Sequence, residues 1–174
     1  LILGVIFLVY NKIKSNESDF ERDINDFFKN GGIGLNVTVP FKGLAYNLCD
    51  ELDQSAGRCK SVNTVLIDSG KLIGHSTDGQ GLIDDFLHKE ITLEDSRILI
   101  IGAGGSAASI ISSLLFHGKI KKISILNRTK SNALRLLDLF ETNRLLMHEE
   151  GDEYDIVINT TPISMNCLLY TSDA

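Results

Sequence analysis

The stretch Ile98-Leu99-Ile100-Ile101-Gly102-Ala103-Gly104-Gly105-Ser106-Ala107-Ala108 decides how the chain is read. Four consecutive branched apolar residues, with no polar alternation, predict a strand buried on both faces of a parallel sheet. Gly102, Gly104 and Ala107 then fill the spacing G-x-G-x-x-G/A, and an apolar helical segment, Ala107–Phe116, follows. In such a strand–loop–helix unit the first glycine permits a tight turn. The second lets backbone N–H groups approach a pyrophosphate at the positive end of the helix, and the small third residue lets helix pack on strand. A glycine loop by itself often only closes a βα turn; here the flanking strand and helix point to a nucleotide.

Downstream, Lys122–Leu126 reads as a second strand, Leu134, Leu137 and Phe140 as the apolar face of a helix, and Tyr154–Ile158 as a third strand. Strand, helix, strand, helix, strand is half of a doubly wound nucleotide fold. The end of the second strand bears on which nucleotide. An NAD site usually places an acid there for the ribose 2′-hydroxyl, whereas a 2′-phosphate wants an Arg. Leu126 is followed by Asn127-Arg128-Thr129-Lys130 with no acid nearby, and Arg128 stands 24 residues after Gly104. The planar donors of Arg128, the charge of Lys130 and the hydrogen-bonding groups of Asn127 and Thr129 favour NADP over NAD.

Upstream, Ser18 with Glu21 has capping-box spacing, and Phe20, Ile24, Phe27 and Phe28 form the stripe of an amphipathic helix that Gly31-Gly32 ends. Leu35–Val39 alternates as a strand stopped by Pro40, and Leu44, Ala45, Leu48, Cys49 and Leu52 restore a helical period. Asn63–Ile67, a turn at Asp68–Lys71 and Leu72–His75 predict a hairpin. Lys42, just past Pro40-Phe41, and Asp78, in Thr77-Asp78-Gly79, form a candidate acid–base pair that only the fold could bring together. Taken singly, each has a plain alternative: a solvated lysine, and an Asp-Gly turn.

The 174 residues are 43% hydrophobic and 23% charged, which excludes disorder over most of the length. Seventeen Lys and Arg against 23 Asp and Glu give a net charge of −6, with no basic field for a nucleic acid. Three cysteines without a C-x-x-C argue against a disulfide scaffold or zinc site and fit a reducing cytoplasm; Cys49, Cys59 and Cys167 read as small apolar fillers. His75, His88, His117 and His148 lack metal-ligand spacing, so no metal is expected. The apolar run Leu1–Tyr10 is half the ~20 residues a membrane span needs and is expected to be a buried helix end or strand. No G-x-S-x-G or P-loop motif occurs.

Taken together, the motifs resemble the shikimate dehydrogenase family. Asn36-Val-Thr-Val-Pro-Phe-Lys42 resembles its substrate-strand motif, Val62-Asn63-Thr64 a second substrate contact, and Thr77-Asp78-Gly79 its catalytic aspartate. Gly102–Gly105 and Asn127-Arg128-Thr129 resemble its NADP loops, and Asn159-Thr-Thr-Pro162, less well, the loop after its third nucleotide-domain strand. The resemblance implies an α/β chain: an N-terminal substrate-binding domain over 1–77, a Rossmann-type NADP-binding domain over 78–166, and a tail over 167–174 that matches nothing in the family. Both domains are expected to be incomplete, the first at its N-terminus and the second at its C-terminus.

The implied activity is reversible NADPH-dependent reduction of 3-dehydroshikimate to shikimate, on the route to aromatic amino acids. Lys42 would move the proton, Asp78 would orient it, and Thr38 and Asn63 would hold substrate hydroxyls. NADP(H) would meet Gly102, Ala103, Gly104, Gly105, Ser106, Asn127, Arg128, Thr129, Lys130 and Thr160. Small-molecule substrates are the expected partners, with no nucleic acid and no membrane. An NAD-using quinate/shikimate dehydrogenase and an inert nucleotide-binding fragment are the alternatives.

Overall fold

The structure is a computed structural model and describes residues 9–162. Two four-stranded sheets follow one another along the chain. In the first, β1 (Gly34–Asn36) pairs antiparallel with β3 (Thr64–Asp68), β3 pairs antiparallel with β4 (Lys71–His75), and β4 pairs parallel with β2 (Glu51–Leu52). The predicted hairpin is β3–β4, closed by a two-residue turn whose central residues, Ser69 and Gly70, both have positive φ. Helices α1 (Phe20–Lys29), α2 (Lys42–Leu48) and α3 (Gln54–Cys59) accompany this sheet. The stripe predicted for α1 is the buried one: Phe20, Ile24 and Phe28 join Val37, Ala45, Val62, Val65 and Leu72 in a common core.

The second sheet is parallel throughout, in the order β7-β6-β5-β8, with β5 Arg97–Ile101, β6 Lys122–Leu126, β7 Leu145–Met147 and β8 Ile156–Asn159. Helices α4 (Asp78–His88), α5 (Gly105–His117) and α6 (Lys130–Phe140) alternate with it. Ile98, Ile100, Ile123, Ile125 and Leu145 pack with Ile111 and Leu114 of α5 and Ala133 and Leu136 of α6. Each such isoleucine contributes roughly 2 kcal/mol by leaving water. Strand order reverses between β5 and β8, and in open α/β sheets the crevice beyond the C-terminal strand ends at such a reversal is where ligands bind.

Several expectations give way. Ser18 does not cap α1: its hydroxyl donates to Asn16 Oδ1 at 2.6 Å, and Asn16 Oδ1 also takes the Asp19 N–H at 3.1 Å. The strand over Leu35–Val39 stops at Asn36, because Thr38–Phe41 closes into a turn with Phe41 N–H on the Thr38 carbonyl at 2.9 Å. Leu52 is strand, not helix. Asp50 takes the Leu72 N–H on its carboxylate at 2.8 Å and returns its own N–H to the Leu72 carbonyl at 2.9 Å, drawing Glu51–Leu52 onto β4.

The third predicted strand starts at Ile156 rather than Tyr154, whose phenol bonds His148 and Asp152 at 2.7 and 2.9 Å. Val9 and Tyr10, the described end of the N-terminal apolar run, are exposed and belong to neither helix nor strand. The rest of that run, Cys167 and the 167–174 tail lie outside the described residues. Of the other thiols, Cys59 is buried and Cys49 half-buried. Burial, with the Asp50 charge adding to it, pushes the Cys49 thiol up to about 11.

Candidate active site

Lys42 opens α2 directly after Phe41, whose ring stacks on Phe20 at 5.0 Å between centroids, and its carbonyl accepts the Val62 N–H at 3.0 Å. Local sequence thus anchors the residue to the first core at both ends. Its side chain is only 10% exposed, and Nζ donates to Asp78 Oδ2 and, at 2.7 Å, to Ser106 Oγ. Ser106 Oγ in turn donates to the same Asp78 oxygen at 3.1 Å.

Asp78 stands in the first turn of α4, where a carboxylate also suits the helix dipole. Its other oxygen takes the Asn63 amide at 2.6 Å. Asn63 is itself held by Thr77: the amide donates to Thr77 Oγ1 at 3.0 Å, and Thr77 N–H donates back to Asn63 Oδ1 at 2.9 Å. Lys42, Asn63, Asp78 and Ser106 therefore form one hydrogen-bonded cluster drawn from three helices, α2, α4 and α5, and the residue that precedes β3.

Beneath the cluster lies a knot of buried hydroxyls that sequence patterning did not single out. Ser76 Oγ bonds Ser109 Oγ at 2.8 Å, Gly79 N–H donates to Ser109 Oγ at 3.0 Å, and the Cys59 thiol meets Ser76 Oγ at 3.3 Å. These contacts tie the end of β4, the end of α3 and the start of α4 to the middle of α5. Serines score as neutral in a hydrophobic pattern, so the only available signal was their density in Ser106–Ser113.

The glycine loop runs from β5 into α5 as the fingerprint predicts. Gly102 has φ +114°, which side-chain-bearing residues rarely adopt, and a Cβ there would lie 2.3 Å from Thr160 Oγ1. Thr160 is fastened to the same loop through its N–H and hydroxyl, both on the Ile101 carbonyl at 2.8 and 2.9 Å. Gly104 caps α5 and Gly105 begins it; a Cβ on Gly105 would meet Ser61 Oγ at 2.6 Å and Lys42 Cβ at 3.2 Å. Gly105 thus serves close packing against Lys42 as well as the turn.

At the same carboxyl end of the sheet, Asn127 Nδ2 donates to the Thr129 carbonyl at 2.8 Å; Arg128 and Thr129 are exposed just before α6, as is Lys130, which opens it. A cleft of about 700 Å³, lined among others by Pro40, Lys42, Ser61, Gly104 and Arg135, lies along the glycine loop. Thr38 takes no part in the Lys42 cluster; it lines a separate groove of about 430 Å³ with Asn36, Phe41 and residues of α1.

Among the described residues, no group of three or more His, Cys, Asp or Glu could hold a metal ion. Nor is any described helix long and apolar enough to cross a membrane.

Comparison with known proteins bears on this arrangement. Residues 5–65 match the family model described as the shikimate dehydrogenase substrate binding domain, and residues 86–171 match shikimate / quinate 5-dehydrogenase. The chain is 41% identical over 166 residues to shikimate dehydrogenase (NADP(+)) of Acinetobacter baumannii, covering 91% of this chain and 63% of that one. It thus spans about three fifths of that relative's length. Among solved structures, an Ael1 enzyme from Pseudomonas putida superposes with TM-score 0.77 at 31% identity, over 88% of this chain and 58% of that one. Shikimate 5-dehydrogenase from Thermus thermophilus, solved with NADP(H) and shikimate, superposes with TM-score 0.74 at 28% identity, over 85% and 55%. With matches to two domains of one enzyme family, one on either side of Asp78, the chain belongs to the shikimate dehydrogenase family.

Proposed function

We propose that this chain carries the acid–base and cofactor-binding apparatus of an NADP-dependent oxidoreductase that interconverts shikimate and 3-dehydroshikimate in the cytoplasm. The observation that carries the reading is the Lys42–Asp78 contact, set beside a glycine loop at the reversal of strand order. The domain division between Thr77 and Asp78 belongs to the same proposal. It is supported by α4 starting at Asp78 and by the two family matches ending at 65 and beginning at 86.

The chain's own residues fit the cofactor. A Cβ on Gly104 would meet nothing within 4 Å, so the mouth of α5 is open. The hydroxyl of Ser61, 2% exposed, lines the adjoining cleft with no hydrogen-bond partner among the described residues. Gly102–Gly105 and the first N–H groups of α5 would hold the pyrophosphate, and Arg128 with Lys130 the 2′-phosphate. When bound, NADPH supplies the hydride.

Lys42 then gives a proton from Nζ to the substrate oxygen as the carbonyl becomes a hydroxyl, and takes it back in the reverse direction. Asp78 aims that ammonium and offers its remaining lone pairs to a neighbouring ring hydroxyl, which Asn63 helps to place; Thr38 is assigned a further hydroxyl. NADP-dependent oxidation of shikimate, followed by nicotinamide absorbance, tests the reading: turnover is the expected result. Absence of both turnover and NADPH binding would sink it, while binding without turnover would leave a nucleotide-binding module.

Arg128→Ala tests the cofactor choice. Loss of charge-assisted bonds to a 2′-phosphate should weaken NADP binding by roughly 10–100-fold. NAD has no such group, so its affinity should change by no more than about twofold, the scale of an exposed charge removed from a site. Fluorescence titration of both nucleotides measures this, and equal losses would remove Arg128 from the site.

A further inference from the structure

We propose that Ser106, although it sits in the glycine loop, is a positioning residue for Lys42 whose hydroxyl, unlike its backbone N–H, does not hold the cofactor phosphates; this rests on the proton-transfer role given to Lys42 above. A serine hydroxyl has one proton and two acceptor lone pairs. Here the proton is directed at Asp78 Oδ2, 3.1 Å away, and a lone pair receives Lys42 Nζ at 2.7 Å. A phosphate oxygen needs a donor, and this hydroxyl has none left to give.

The effect on Lys42 follows from tetrahedral geometry. An ammonium carries three N–H donors. With Asp78 alone holding one of them, the group is free to turn about the Cε–Nζ bond. A second fixed acceptor at Ser106 sets the rotation, so the third N–H points in one direction and remains for the substrate oxygen.

Ser106 is well placed to impose this, because it belongs to the first turn of a 13-residue helix. The preceding Gly105 packs so closely on Lys42 that a Cβ there would lie 3.2 and 3.3 Å from Lys42 Cβ and Cδ. The loop that meets the cofactor and the ammonium that moves the proton therefore share one hydroxyl, and displacement of the loop displaces Lys42.

Competitive acylation of lysines with acetic anhydride, read peptide by peptide by mass spectrometry, tests this without requiring turnover. Exposed Lys60 serves as internal standard. Ser106→Ala should raise Lys42 labelling relative to Lys60 by about 3–10-fold, the loss of one hydrogen bond to a charged, partly screened group. Ser106→Thr, which keeps the hydroxyl, should restore protection. Ser106→Gly removes the hydroxyl without adding bulk and should behave as Ala does, so a folding defect peculiar to one variant does not obscure the result.

NADPH affinity should stay within about threefold in Ser106→Ala, less than one charge-assisted hydrogen bond contributes. In turnover the loss should fall on kcat and not on KM for NADP. Unchanged Lys42 labelling in both Ala and Gly variants, or a tenfold loss of NADPH affinity with kcat intact, overturns the proposal. Failure of shikimate oxidation alone would count against the function proposed above and not against this assignment, since labelling reads the Lys42–Ser106 contact directly.

Discussion

Lys42→Ala is expected to lower NADP-dependent shikimate oxidation by roughly 10²–10⁴-fold, the range contributed by a positioned proton donor. NADPH affinity and the fold should be retained. The separation follows from what the substitution leaves in place. Alanine keeps the Cβ that packs on Gly105 and the carbonyl that accepts the Val62 N–H. Removing one partner of an ion pair is costly when the other is stranded in low dielectric, at about 3–5 kcal/mol. Asp78 is not stranded: its side chain is 28% exposed, and both oxygens keep partners in Asn63 and Ser106. The stability loss should therefore stay near 1–2 kcal/mol, well below the buried-pair figure. Steady-state nicotinamide absorbance, paired with a thermal melt, gives the two readouts. Activity within tenfold of the unmodified chain would show that the proton comes from elsewhere.

Gly79→Ala should be strongly destabilising, although it adds only a methyl group within a helix. Judged as an isolated helix residue, alanine would be favoured over glycine by about 1 kcal/mol. The packing says otherwise. A Cβ at residue 79 would lie 2.2 Å from the Ser109 carbonyl oxygen, 2.7 Å from its carbonyl carbon and 2.4 Å from Ser113 Oγ. Ser113 can rotate away, but the Ser109 backbone in the middle of α5 cannot, so α4 must lift from α5. The same movement breaks the Gly79 N–H bond to Ser109 Oγ and drags Asp78, the preceding residue. Overpacking of this kind costs typically 1–3 kcal/mol and occasionally more, so a net loss of about 3 kcal/mol is expected. For a chain of this size that lowers the melting temperature by about 6–12 °C. Circular dichroism during a thermal ramp measures it, and a raised melting temperature would mean that helix propensity outweighs the contact.

How much of this could be read along the chain depended on the range of the interaction. The Ile98–Ala108 stretch was legible because its strand, turn and helix are local choices: branched apolar residues for a buried strand, glycine where φ is +114°, small residues under a helix. The stripe of α1 and the β3–β4 hairpin were legible for the same reason. The short strands β2 and β7 were not, since two or three residues carry no period, and they form only because a neighbouring strand offers free backbone groups. The cap of α3 was missed although its signal was present: Asp53 accepts the Ala56 N–H at 2.7 Å, as an N-cap aspartate does.

Lys42 and Asp78 were named as a pair by residue type and resemblance, yet the 36 positions between them say nothing about distance. The role of Ser106 shows the same limit more sharply. Motif spacing put it in a phosphate loop, and its hydroxyl is engaged with a lysine 64 positions away. By itself, then, the sequence determined the class of fold, the position of the cofactor loop and the chemical types at the site, because periodicity, turn chemistry and capping act within a few residues. Tertiary structure alone decided that Lys42, Asn63, Asp78 and Ser106 share one cluster, and that Gly79 and Gly105 must lack side chains. Those facts depend on how α2, α4 and α5 pack against one another, and close packing is a property of surfaces that no spacing along the chain encodes.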